Sequence, residues 1–234
     1  MQCMKTEIFL ASGNAHKKHE MEELFPEYKI LTPKDIGLEF DPDENGNSFF
    51  ENSLIKAKAL YEIVKKPVLA DDSGICVDAL DGKPGIFSAR YCGRLKTADG
   101  KILDGHNLSQ TEQNALLIED VNLTLKEKGF SEKQIRDMAN RSCHYACALV
   151  LYYGKDRFIC SQETLEGCLL YDANESRGTT GFGYDPIIFL PKFGKTVAEL
   201  TEEEKNAISH RGKAAKILHD AINISATRYD LTNI

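Results

Sequence analysis

The sequence predicts an α/β protein with a mixed β-sheet and flanking helices. Short apolar runs alternate with helical patterns early in the chain, a hairpin signal falls near its middle, and a helical pattern closes it. Strands that alternate with helices imply parallel neighbours joined by crossovers. Two β-rich runs about a tight turn imply an antiparallel pair. A sheet holding both kinds of pair is mixed rather than purely doubly wound.

Thr6–Ser12 reads as a short buried strand. Gly13-Asn14 then opens a helix through Phe25, with Met21, Leu24 and Phe25 inward and Pro26 as its stop. Tyr28–Leu31 is a second strand. Ser48-x-x-Glu51 is a capping box that starts a helix to Val64, with Ile55, Ala59 and Ile63 as the inward stripe and Pro67 closing it. Val68–Ala70 is a buried strand running into Asp71-Asp72-Ser73-Gly74, and Ile75–Ala79 alternates like another. Asp81–Gly85 is dense in turn residues. Leu95–Asn107 reads as loop, and Thr111–Lys128 and Ser131–Asn140 as helices. His144–Tyr153 and Arg157–Glu166 flank Gly154-Lys155-Asp156 as a hairpin. A Gly- and Thr-rich loop leads to a strand at Ile187–Leu190, and the last helix spans Arg211–Ile224.

A chain of 234 residues suits one domain, 1–234, of two lobes sharing a sheet. Its only early apolar run, Ile8–Ala11, is too short for a signal peptide. No stretch approaches the roughly 18 apolar residues of a membrane span. The expectation is a cytoplasmic protein with no membrane partner. A formal charge of −7 argues against a nucleic-acid polymer as partner, but not against a single nucleotide held by locally focused cations. Cys143, His144 and Cys147 could be metal ligands, but no second Cys/His pair completes the set. Reduced, packed thiols are the simpler reading of the seven scattered cysteines.

Polar motifs supply the parts of a nucleoside triphosphate site. In Ser12–Lys17 a strand gives way to a helix within a few residues, so Gly13 can turn the backbone and the first helical amides can meet an anion. Lys17 in the first turn opposes the helix dipole, a cost that a phosphate would offset. The plainer alternative is that Asn14 is an ordinary N-cap. No Walker A loop or GxGxxG fingerprint is present. Lys56 in mid-helix and Glu44 in an acidic loop would each read as solvated charge if they stood alone.

Asp71-Asp72 is the sharper signal. Adjacent carboxylates at a strand end repel unless a cation or protons compensate, and magnesium with phosphate oxygens is the natural partner. Strand alternation lets only one of them face a cleft directly. Gly181–Pro186 carries Phe182 and Tyr184 among glycines, a stacking platform for a base or else a hydrophobic plug. His210-Arg211 offers donors suited to carbonyl or phosphate oxygens.

In this order the blocks LASGNAHK, FFENSLIKAKAL, VLADDSGICVDALDGKPGIFSARYCG, GFGYDPIIFLP and GKTVAELTEEEKNAISHRGKA closely resemble the inosine triphosphate pyrophosphatase family, the dITP/XTP or non-standard purine NTP pyrophosphatases. They cover about half of the chain. The resemblance implies an elongated mixed sheet, two lobes around a central cleft, and a homodimer. It also implies magnesium-dependent hydrolysis of ITP, dITP and XTP to monophosphate and pyrophosphate.

By motif position, Ser12, Gly13, Asn14, Ala15, His16 and Lys17 resemble the phosphate loop, and Glu44 and Asp72 the metal ligands. Asp72 matches the family's general base, and Lys56 and Ser73 match triphosphate contacts. Phe182, Gly183, Tyr184, Asp185, Lys205, His210 and Arg211 resemble nucleoside contacts, with Phe182 as the stacking ring and His210 and Arg211 reading a 6-oxo group. Arg94–Asn140 and Asn174–Thr180 depart from the family pattern. Hydrolysis of other nucleotides by the same metal chemistry, or nucleotide binding without turnover, are the competing readings.

Overall fold

In strand β1, Thr6–Leu10, successive side chains alternate between faces, and that alternation organises everything around it. The computed structural model describes residues 5–94 and 108–228, the side chains of 225–228 excepted; the expected loop Leu95–Asn107 lies outside the described residues. Helix α1 is Ala15–Leu24, strand β2 Tyr28–Leu31, helix α2 Phe49–Val64 and strand β3 Val68–Val77. Helices α3, Gln110–Glu127, and α4, Glu132–Arg136, precede strands β4, Ser142–Tyr152, and β5, Phe158–Leu169. Strands β6, Ile188–Leu190, and β7, Lys195–Thr196, then lead to helices α5, Glu202–Ile208, and α6, His210–Arg228.

Among the described residues the strands form one seven-stranded sheet in the order β2-β1-β3-β4-β5-β6-β7. β1 runs parallel to both β2 and β3, whereas β5–β6 and β6–β7 are antiparallel. The predicted mixed α/β sheet with flanking helices is what forms.

The chain divides into two compact units. The first contains Met1–Asp72, Ala146–Thr164 and Asn206–Ile234. On one face of its strands Ile8, Leu10, Leu69, Cys147 and Leu149 pack with Met21 and Phe25 of the α1 region and with Ala214 and Leu218 of α6. On the other face Phe9, Ala11, Val68, Ala70 and Val150 pack with Ala57 and Leu60 of α2. The second unit contains Ser73–Tyr145 and Leu165–Lys205. Among the described residues no helix is long and apolar enough to cross a membrane.

Two sequence expectations need correction. The Asp71–Gly74 segment, read as a break after Ala70, continues as strand, and β3 runs unbroken for ten residues. Gly74 is not among the glycines with positive φ, so the extended backbone continues through the segment. In α2 the buried face carries Phe49, Asn52, Ser53, Lys56, Ala57 and Leu60, while Ile63 is exposed. The expected stripe Ile55–Ala59–Ile63 is rotated away because polar residues occupy part of the buried face.

Candidate active site

Because β3 alternates, Asp71 continues the face of Leu69 toward α1 and α6, and Asp72 continues the face of Ala70 toward α2. The adjacent carboxylates therefore enter separate clusters, both inside the first unit.

Asp72 meets α2. Its Oδ1 accepts from Lys56 Nζ at 2.7 Å and its Oδ2 from Asn52 Nδ2 at 3.4 Å. The same Lys56 ammonium donates to Glu44 Oε2 at 3.0 Å, so a single cation bridges both predicted metal ligands. Asn52 Oδ1 accepts from Gly46 N at 2.9 Å and ties the Glu44 loop to the helix. Asn52 and Lys56 share a helix face one turn apart, which is how they meet one carboxylate. Burial pushes Asp72 up to about 6 against the pull of Lys56, with Glu44 adding repulsion. Burial also works against the Lys56 charge, but Asp72 and Glu44 outweigh it and hold that ammonium above its ordinary value.

Asp71 is wholly buried among α1 and α6. Lys17 Nζ lies 2.5 Å from its Oδ1, Arg211 Nε donates to its Oδ2 at 2.7 Å, and the Cys147 thiol donates to Oδ2 at 3.1 Å. Arg211 also pairs with Glu20 through Nη1. Burial alone would raise the Asp71 carboxyl, but Arg211 and Lys17 hold it well below the usual carboxylate range. The Arg211 guanidinium thus engages Asp71 and Glu20.

The Ser12–Lys17 segment bends from β1 into α1 as expected, and Asn14 already caps two of its first amides. Asn14 Oδ1 accepts from His16 N at 2.9 Å and Lys17 N at 3.3 Å, and Asn14 N donates to Ser12 Oγ at 3.1 Å. The plain N-cap alternative therefore describes the geometry. Gly13, Asn14, Ala15 and His16 are exposed, and His210 is buried at the start of α6.

The aromatic loop is built inside the second unit, where Ser73 also lies, next to Asp72 in β3. Tyr184 is buried and donates to the Ser88 carbonyl at 2.8 Å. Ser88 Oγ in turn accepts from Ile75 N at 2.9 Å, linking the loop to β3. Asp185 Oδ2 accepts from Phe182 N at 3.0 Å and from Lys205 Nζ at 3.1 Å. Lys205 Nζ stands 5.1 Å from the half-buried Phe182 ring centroid, and Gly183 has φ +71. The predicted Phe182, Gly183, Tyr184, Asp185 and Lys205 are thus brought together.

Sequence reasoning missed Asn52, Glu20, Tyr145 and Ser88, and it read Cys147 as a packed thiol without its bond to Asp71. Asn52 and Glu20 had a usable signal, since each lies one helical turn from a singled-out lysine. The others meet their partners through sheet and loop contacts that spacing does not reveal.

A family model described as the Ham1 family matches residues 8–221. A dITP/XTP pyrophosphatase of Treponema denticola is 49% identical over 207 residues, covering 88% of this chain and 93% of the relative. Among solved structures, a HAM1 protein from Coxiella burnetii is 34% identical with a TM-score of 0.73, covering 93% of this chain and 98% of the other. The Staphylococcus aureus Ham1 protein is 31% identical with a TM-score of 0.69 at the same coverage of both chains. The paired carboxylates and the anchored aromatic loop lie within the matched residues.

Proposed function

The chain belongs to the Ham1 family, and on that premise we propose that it is a nucleoside triphosphate pyrophosphohydrolase. It cleaves ITP, dITP and XTP to the monophosphate and pyrophosphate and so clears deaminated purines from the nucleotide pool. The observation that carries the reading is the pair of carboxylates, Glu44 and Asp72, gathered on one buried ammonium, with Asp72 raised to about 6.

Hard carboxylate oxygens from Glu44 and Asp72, already sharing one cation, fit a divalent ion such as magnesium. When bound, the ion supplies charge neutralisation on the phosphate oxygens. Lys17, Lys56, Ser73 and the Ser12–Lys17 loop hold the phosphate chain, and positioning of this kind accounts for much of the rate. Asp72, mostly ionised at neutral pH, accepts the proton of the attacking water. The water oxygen bonds to the α-phosphorus, the bond to the α,β-bridging oxygen breaks, and pyrophosphate leaves.

Phe182 stacks on the base, with Gly183, Tyr184, Asp185 and Lys205 around it. His210 and Arg211 contact the nucleoside, Arg211 also holding Asp71. Donors at the 6-oxo group disfavour adenine, whose 6-amino group is itself a donor, by about 1–3 kcal/mol. The resemblance further supports a homodimer in the cytoplasm, with 1–234 working as one catalytic domain; light scattering of the purified protein tests the dimer.

Hydrolysis of dITP in oxygen-18 water tests the reaction. The expected products are dIMP carrying the label and unlabelled pyrophosphate. dIDP as the first product, or no turnover with magnesium present, overturns the reading. A second measurement tests the ring: Phe182→Ala should weaken all purine substrates alike by about 1–3 kcal/mol. A collapse of the ITP/ATP preference in that variant would instead give the loop a part in polar discrimination.

A further inference from the structure

Asp185 lies almost wholly buried where separate elements of the second unit meet. Its Oδ2 accepts from the Phe182 backbone and from Lys205, as described above. The loop reaches this close only because residue 181 is glycine: φ is +76, and a Cβ there would stand 2.1 Å from Asp185 Oδ2. Oδ2 thus fixes both the backbone that carries the stacking ring and the ammonium beside that ring.

A carboxylate held at one oxygen can still turn about its broad terminal torsion. Its other oxygen is held from β4, where the Tyr145 hydroxyl donates to Asp185 Oδ1 at 3.0 Å. Tyr145 is 7% exposed, so its ring is clamped by packing while its hydroxyl meets the carboxylate. Burial, reinforced by Asp185, pushes the Tyr145 phenol well above its ordinary value, which keeps the proton on the donor.

We propose that Tyr145 is a positioning residue for base recognition: its hydroxyl fixes Asp185, and through Asp185 it aims the Phe182 ring and the Lys205 ammonium at the purine. The inference rests on the nucleotide reading given above and deepens it. The hydroxyl acts on Asp185, which holds the ring and the ammonium of the base site, so its influence is expected at the nucleoside end of the substrate.

Tyr145→Phe in the full-length chain keeps the ring and deletes the hydroxyl. Affinities for dIMP and for inorganic pyrophosphate are measured by calorimetry in magnesium, beside steady-state hydrolysis of dITP. Loss of a buried donor to a charged acceptor should weaken dIMP binding and raise KM for dITP by about tenfold, with kcat within about twofold and pyrophosphate affinity unchanged. Unchanged dIMP affinity overturns the proposal. So does an equal weakening of dIMP and pyrophosphate, which would mark a general structural lesion. In an Asp185→Ala background, which deletes the acceptor, Tyr145→Phe should change little more, and an undiminished tenfold loss there would also overturn it. An inactive wild-type protein would sink the proposed reaction, whereas the dIMP titration needs no turnover and still decides Tyr145.

Discussion

Asp72→Asn is expected to lower kcat for dITP by at least about 10²–10³-fold while leaving nucleotide binding intact, a loss of the size seen when one group aimed at developing charge is removed. The amide keeps the shape of the carboxylate but has neither its basicity nor its attraction for a cation. In the folded protein Asp72 sits 2.7 Å from Lys56 and is raised to about 6, so it is ionised at neutral pH yet basic enough to take a proton. The substitution also removes one of the two negative partners of Lys56. Single-turnover rates separate chemistry from binding, and a kcat within about tenfold of wild type would take Asp72 out of the proton-accepting role.

Asp71→Asn should act on stability first. Removing the charge leaves Arg211 and Lys17 facing a neutral amide in a buried cluster, and breaking one partner of such a cluster typically costs about 3–5 kcal/mol. Urea unfolding monitored by circular dichroism measures the loss, and a change below about 1 kcal/mol would show that the cluster contributes little. An Asp71→Leu/Arg211→Met double variant should recover part of it, because well-packed apolar groups can replace a buried pair. The pH dependence has a definite sign. The folded Asp71 carboxyl lies well below its ordinary 3.8, so its stabilisation is present above that value and is lost as pH falls through the folded value. Wild type should therefore lose stability below about pH 4 more steeply than Asp71→Asn.

Much of this was legible in the sequence, for a physical reason. Strand alternation separated Asp71 from Asp72, and the capping pattern at Ser48 located the start of the helix that carries Lys56. What stayed hidden depended on partners distant in sequence. Asp71 looked like the lesser aspartate, because nothing local shows an arginine 140 residues away reaching its carboxylate. The inward face of α2 was misplaced because Asn52, Ser53 and Lys56 count as polar in a periodicity, although they are buried there against the sheet and the Glu44 loop. The Asp71–Gly74 stretch read as the end of a strand rather than its middle, since composition does not report the extended backbone that these polar residues keep. Strand β7 and helix α5 are too short to give a periodic signal.

The unbroken run of β3 sets a parity rule on this segment. Each residue there is assigned to one helix layer or the other by whether its position is odd or even, as Leu69 and Asp71 go with α1 and α6 while Ala70 and Asp72 go with α2. A single residue inserted between Val68 and Asp71 would exchange the carboxylates, handing the Arg211 partner to Lys56 and the Lys56 partner to Arg211. Both layers would fail together, although every side chain involved would still be present. Changes of length in this part of the chain are therefore admissible only in pairs, or outside the strand altogether.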